Sequence, residues 1–328
     1  MRRRVLLQVI AGIAISPATG IAQERKNKAV IGILMNLAST DPEGQARVRA
    51  FVKGLEAFGW VDGENIHIEY RWAAAGPESI AKYAEELVGL QPDVIMASTS
   101  GVMPALLKMT RTVPIIFTQV IDPVGAGFVN SLSRPGGNAT GFVAFEYGIA
   151  VKWLELLEQL VPKLNRVGII RDPLLAAGIG QYATVQALAP TRGIELSPID
   201  PRDMATVERE LKRLGETTGS GLIVSASPTV AVHRREVIAL AEEHKIPTVY
   251  YTRYYVDDGG LISYGTYFIE QYERAADYVN RVLKGTKPAE LPVQGPTKFE
   301  LVLNMKTARK IGLTIPPAIV GRADELIE

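Results

Sequence analysis

From residue 29 onward, short apolar runs alternate with stretches whose apolar residues recur at helical spacing. That alternation restricts the chain to an α/β fold built on parallel sheet. Ala29-Val30-Ile31-Gly32-Ile33-Leu34 reads as a strand buried on both faces, as parallel sheets require. Asp41-Pro42 opens a helix, and Val48, Phe51, Val52, Leu55 and Phe58 give it an apolar stripe. Ile66, Ile68 and Tyr70 alternate with polar residues, which predicts a strand nearer a sheet edge. A helix over 77–90, a strand over 93–97, a short helix over 101–110 and a strand over 113–117 complete a βαβαβα order.

Ser133-Arg134-Pro135-Gly136-Gly137-Asn138 is a dense turn signal, and the alternation restarts beyond it. The spacing predicts helices over 149–161, 178–191, 203–216 and 229–244, with strands over 166–171, 195–199, 222–225 and 247–251 between and after them. A tail adds a strand over 260–263, a helix over 267–285 and a strand over 299–303. Two doubly wound α/β halves of similar size are the simplest arrangement.

The first residues carry a different signal. Arg2, Arg3 and Arg4 precede an apolar run over 5–15 and a small-residue exit at Gly20-Ile21-Ala22, the pattern of a cleaved export signal over residues 1–22. The run is too short for a membrane span, which needs about 20 residues. With no cysteine in the chain, disulfides, thiolate metal sites, a Cys nucleophile and a lipid-modified N-terminal Cys are all excluded. The chain carries 36 basic and 35 acidic residues, which offers no field for nucleic acid. The three histidines, His67, His233 and His244, lie outside metal-ligand spacing of one another. No P-loop, nucleophile elbow or HExxH is present, and Gly178-Ile179-Gly180-Gln181-Tyr182-Ala183 lies too far past its strand for a dinucleotide fingerprint.

Open parallel sheets bind ligands at the carboxyl ends of their strands. The residues there are Ser39 and Thr40 after the first strand, Ser98, Thr99 and Ser100 after the third, and Gln119 and Asp122 after the fourth. The second half contributes Asp172, Ser225 and Ser227, then the aromatic run Tyr250-Tyr251-Thr252-Arg253-Tyr254-Tyr255 ahead of Asp257 and Asp258. Hydroxyls beside helix N-termini suit a carboxylate, and the same hydroxyls also serve as helix caps. Phe142, Phe145 and Tyr147 add flat surface for an apolar or aromatic group.

Two longer blocks are more specific. Thr118-Gln119-Val120-Ile121-Asp122-Pro123-Val124-Gly125-Ala126-Gly127-Phe128-Val129, with Arg134-Pro135-Gly136-Gly137-Asn138-Ala139-Thr140-Gly141 behind it, resembles a block of an ABC-transporter substrate-binding protein family with tryptophan- and other amino-acid-binding members. The closing Pro296-Thr297-Lys298-Phe299-Glu300-Leu301-Val302-Leu303-Asn304 is similar to a tail found in that family. The resemblance implies a type 1 periplasmic-binding fold, with two α/β lobes joined by three crossovers and the ligand between them. It puts one lobe at 23–142 and 264–294 and the other at 143–263 and 295–328. It also implies a carboxylate clamp at Ser98, Thr99 and Ser100, with Gln119 and Asp122 near the hinge, and a second-lobe acid at Asp257 or Asp258 for an ammonium.

The reading is therefore a periplasmic solute receptor, monomeric, without cofactor or metal, that delivers a small carboxylate-bearing ligand to an inner-membrane ABC permease. The predicted ligand has an aromatic or branched apolar part. An exported sensory receptor and an exported enzyme stay open as alternatives.

Overall fold

The computed structural model describes residues 28–74 and 76–328; the predicted export signal lies outside them. The first half runs β1 (Ala29–Met35), α1 (Pro42–Ala57), β2 (Ile66–Trp72), α2 (Pro77–Gly89), β3 (Val94–Ser98), α3 (Met103–Met109), β4 (Ile115–Val120) and β5 (Ala139–Val143). Its strands form one parallel sheet in the order β2-β1-β3-β4-β5, with β2 at an edge. β5 was not among the predicted strands. Its Gly141 packs so tightly on β4 that a Cβ there would lie 1.9 Å from the Phe117 carbonyl oxygen, so only glycine fits.

The second half runs α4 (Ile149–Leu160), β6 (Arg166–Ile170), α5 (Ala176–Leu188), β7 (Glu195–Ile199), α6 (Met204–Gly215), β8 (Ser220–Val224), α7 (Pro228–Val232), α8 (Arg234–Glu243), β9 (Thr248–Tyr250), α9 (Tyr254–Asp257) and β10 (Ile262–Thr266). The tail adds α10 (Phe268–Leu283), β11 (Phe299–Asn304), α11 (Met305–Lys310), α12 (Pro317–Val320) and β12 (Glu325–Ile327). The second sheet has the order β12-β11-β10-β9-β8-β6-β7, parallel except where β11 runs against β10.

One prediction needs correction, and one element is added. The helix expected over 229–244 is two helices that meet at His233, whose backbone (φ −94°, ψ 16°) leaves the helical range. Residues 254–257, past the strand predicted over 247–251 and given no element there, form a helical turn. Stacking of Tyr255 between Tyr250 and Tyr254 and the Arg253–Asp257 pair one turn apart hold it.

Each sheet is covered on both faces. Ile31, Ile33 and Met35 of β1 pack against Phe51 and Leu55 of α1 and Tyr272 and Val279 of α10, while Leu34 points to the opposite face with Leu87 and Leu106. Full burial of side chains of this kind stabilises by about 1.5–3 kcal/mol each. α1 begins cleanly because the Asp41 carboxylate accepts from the N–H groups of Glu43 and Gly44 at 2.9 and 3.1 Å, and Pro42 follows the cap.

The chain passes between the sheets three times, after β5, after β10 and before β11. α10 thus returns to α1, at a contact so close that a Cβ on Gly54 would lie 2.7 Å from that of Ala276. Tyr264, Gly265 and Thr266 pair with Leu301, Glu300 and Phe299, so β10 continues to Thr266 before the second passage.

Candidate ligand site between the sheets

The carboxyl ends of the strands in both sheets meet at one apolar patch. Ala144, Phe145, Ala177, Ala226 and Phe268 form its buried part, with Ile121, Tyr147, Ile149 and Tyr251 packed against it. Ile121 follows β4, Ala226 follows β8 and Tyr251 follows β9, so the patch joins the two binding edges. Tyr147 lies against α5, where a Cβ on Gly180 would come within 2.7 Å of its ring.

On the first sheet, the edge is conformationally unusual. Thr99, Gln119 and Asp122 have φ of 71°, 54° and 43°. A β-branched residue such as threonine is rare in that region, and such outliers persist where surrounding contacts hold them. Here the holders are visible. Gln119 donates its backbone N–H to Gln271 Oε1 at 3.0 Å, and Gln271 Nε2 donates to the Val143 carbonyl at 2.9 Å. The Asp122 carboxylate accepts from Gly125 N–H at 2.9 Å, which closes the following turn.

Several predicted ligand contacts are engaged inside the protein. Ser98 Oγ donates to Asn36 at 3.3 Å and shares a 2.6 Å hydrogen bond with the Tyr272 hydroxyl. Ser100 Oγ accepts from Ile121 N–H at 2.8 Å, so it ties down the β4 loop and does not cap its own helix. Ser39 is exposed and contributes only its carbonyl, to Gln45 Nε2 at 2.7 Å. On the second sheet, Ser225 Oγ donates to the Ile170 carbonyl at 2.8 Å, Ser227 caps α7, and buried Asp172 accepts from Leu174 N–H at 2.9 Å. Asp257 is exposed and paired with Arg253 at 3.3 Å.

The groups with unused donors are different ones. Gln119 and Gln181 are 7% and 1% exposed, and the Nε2 atom of each is buried without an acceptor. Gln181 Oε1 accepts from Ala226 N–H at 3.1 Å. Arg171, just past β6, lies 4.6 Å over the Tyr182 ring with its Nε likewise unpartnered. Arg47, on α1, is 3% exposed; its Nε donates to Glu43 at 2.9 Å, and its guanidinium sits 5.7 Å from the Phe268 ring centroid. Burial opposes its charge, but Tyr272, Glu43 and Tyr254 outweigh that and hold it firmly protonated.

Arg171 stands beside Asp172 in one of the strand-end loops that the sequence marks; sequence reasoning missed Arg47 and Gln181, and a signal existed for both. Arg47 stands four residues before Phe51 on the apolar stripe of its helix, and Gln181 four before Val185 on its own.

At the rim, Thr40, Asp41, His233 and Arg234 line a groove of about 460 Å³ between the start of α1 and the α7–α8 junction. Tyr250, Tyr255 and Tyr254 stack at 5.0 and 4.7 Å, Tyr251 meets Tyr254 edge-on at 6.0 Å, and the hydroxyls of Tyr251 and Tyr254 hydrogen-bond. Burial pushes the phenols of Tyr251, Tyr254 and Tyr255 well above their usual range, so they stay neutral. Nearby Glu300, buried in β11, is pushed up to about 7 by burial, against the pull of Arg253 at 3.1 Å. Among the described residues, no three metal-ligating side chains are grouped to hold an ion, and no helix is long and apolar enough to cross a membrane.

Residues 40–327 match the model of a family described as ABC transporter substrate binding protein. A tyrosine-binding protein of Clostridioides difficile is 27% identical over 95% of this chain and 93% of its own. A conserved domain protein of Vibrio cholerae superposes with a TM-score of 0.81 at 28% identity, covering 91% of this chain and 99% of that one. The Streptococcus pneumoniae ABC domain solved with L-Trp gives the same TM-score, 0.81, at 23% identity over 92% of this chain and all of its own. The fold is thus of the type 1 periplasmic-binding kind, as the sequence blocks imply.

Proposed function

The chain belongs to the ABC transporter substrate binding protein family, and from that premise we propose that it is the exported receptor of an importer, catching a small carboxylate-bearing ligand with an aromatic or branched apolar part between its two lobes. The observation that carries this reading is the apolar patch around Ala144, Phe145, Ala226 and Phe268, bordered by the unpartnered Nε2 groups of Gln119, on β4, and Gln181, on α5. The likeness to a tyrosine-binding protein supports an aromatic amino acid.

One lobe is the first sheet with α10, the other the second sheet with β11 and β12. Ligand touches both only when they are closed, so its binding energy shifts an open–closed equilibrium. A micromolar dissociation constant needs about 8 kcal/mol. A few charge-assisted hydrogen bonds and one stacked ring supply that scale of energy. The protein performs no chemistry: it works as a monomer after loss of residues 1–22, and its closed form docks on the permease. Thr99, Gln119, Tyr147 and Tyr251 on the binding edges are the residues proposed to touch ligand first.

The test is native mass spectrometry of protein from the exporting host, followed by a thermal-shift panel of amino acids, aromatic acids, sugars and oxyanions. A ligand at a hundredfold excess over Kd adds about 2.7 kcal/mol of stability. A clear shift with L-tyrosine, L-tryptophan or a related acid is expected. Shifts with sugars alone would overturn the ligand class, and no shift with any solute would overturn the receptor reading.

A further inference from the structure

We propose that the side-chain amides of Gln119 and Gln181 are a donor pair, one from each lobe, that reads an acceptor-only group on the ligand, so that these two residues restrict the cargo to carboxylates. The inference rests on the receptor reading and deepens it.

The direction of the Gln181 amide is fixed by chemistry. Its Oε1 accepts from the Ala226 N–H at 3.1 Å, which a flipped amide could not do, so the remaining atom is the NH2 group, a donor only. That group is buried in a residue 1% exposed and has no acceptor among the described residues. Buried donors in folded proteins are almost always paired, and the exceptions call for a partner that the chain itself does not supply. Ala226, the group that orients Gln181, belongs to the apolar patch, and Ala177 lies one turn earlier on the same helix.

A second buried amide, that of Gln119, comes from the other lobe. Gln119 is 7% exposed, its Nε2 is also without acceptor, and its left-handed backbone at φ 54° is held by Gln271. Ile121, two positions on, packs against the same patch. A third orphan donor, Arg171 Nε, stands at the end of β6 on the second binding edge.

Of the carboxylates near this edge, Asp122 accepts from the Gly125 N–H and Asp172 from the Leu174 N–H, each through one oxygen. A ligand group with lone pairs and no protons satisfies the orphan donors; an ammonium would meet N–H against N–H. The two amides also divide the work. Neither lobe alone offers both amides, and only the closed form does, so a carboxylate gains much of its hydrogen bonding at closure.

Benzoate is the probe, since it carries the carboxylate and a flat ring and nothing else; benzylamine is its cationic counterpart. In 15N-labelled full-length mature protein, the side-chain amide resonances of the two residues are assigned by their disappearance in Gln119→Glu and Gln181→Glu. Millimolar benzoate should move both resonances, and benzylamine should move neither. Gln181→Glu keeps the acceptor for Ala226 but presents a carboxylate to the ligand, and it should weaken benzoate by about 10- to 100-fold, the scale of a lost charge-assisted hydrogen bond. Thermal melting checks that the variant folds. Gln181→Met, which removes the donor without adding charge, should also weaken benzoate, by less. Amide resonances unmoved by benzoate overturn the inference, as does equal movement with benzylamine or full benzoate affinity in Gln181→Glu. Stabilisation of the wild type by any amino acid in those cases leaves the receptor reading standing.

Discussion

Arg234, at the start of α8, lies 3.9 Å from the carboxylate of Asp41, the residue that caps α1 in the other lobe. The same guanidinium donates from Nε to Asp258 at 2.6 Å and stands 5.6 Å over the Tyr254 ring. Asp258 therefore positions Arg234, and Arg234 reaches across the gap. The acid expected to take a ligand ammonium is occupied in fastening one lobe to the other.

Arg234→Gln should therefore loosen the closed form. A partly exposed pair of this kind is worth up to about 1 kcal/mol, so dissociation of ligand should speed up by about two- to fivefold. Association should change little, since related variants differ mainly in off-rate. Stopped-flow measurement on wild type and variant decides it; equal off-rates would show that the contact contributes nothing to closure.

Ser100→Ala should act on folding. The Ser100 hydroxyl accepts from Ile121 N–H at 2.8 Å, and its removal leaves a partly buried donor unpaired, at a cost of about 1–3 kcal/mol. Urea unfolding without ligand should show that loss. A variant that unfolds like wild type but binds weakly would return Ser100 to the ligand.

Gly180→Ala separates binding from stability in the opposite sense. Alanine favours a helix over glycine by roughly 1 kcal/mol, and the overlap with the Tyr147 ring offsets that gain, so the melting temperature should change little. The new Cβ would stand 2.7 Å from the Tyr147 ring and must displace it, which alters the patch. Affinity should fall by about tenfold, the effect of roughly 1.4 kcal/mol. Calorimetry with unchanged affinity would remove Tyr147 from the site.

Glu300 sets a pH dependence. Its carboxyl titrates near 4.5 when solvated and is pushed up to about 7 in the fold by burial, so between those values the folded chain holds a proton that the unfolded chain has released. Stability falls with rising pH wherever the native state binds more protons, so this group destabilises progressively from about pH 4.5 to 7. Glu300→Gln should flatten that stretch of the curve and gain most on wild type above about pH 7. Chemical unfolding across the range tests it, and parallel curves would place the titration elsewhere.

The architecture was largely legible because β1, β3 and β4 are buried on both faces, and such strands read as unbroken apolar runs. β5 was missed because its Thr140 and Gly141 answer to neighbours: the Leu291 carbonyl accepts the Thr140 hydroxyl at 2.6 Å, and Phe117 leaves no room beside Gly141. In the site, position was legible and allegiance was not. The sequence marks Ser98, Ser100 and Ser225 as hydroxyls at strand ends. Whether a hydroxyl serves ligand or chain depends on partners such as Tyr272, Ile121 and Ile170, and two of these lie far away in sequence. Gln181 was hidden for the same reason, since its meaning comes from the Ala226 amide.

The return of α10 to α1 has a consequence for how the chain acquires its shape. Phe51, Leu55, Ile31 and Ile33 find Tyr272 and Val279 only after more than two hundred further residues have been made. Until then that face of the amino-terminal sheet is covered only in part, by α1, and the remainder is the kind of apolar surface that sticks to other chains. Contacts so distant along the chain also close slowly. A nascent protein of this design stays open to carriers that need it unfolded for nearly the whole of its synthesis, and its two halves become compact almost together.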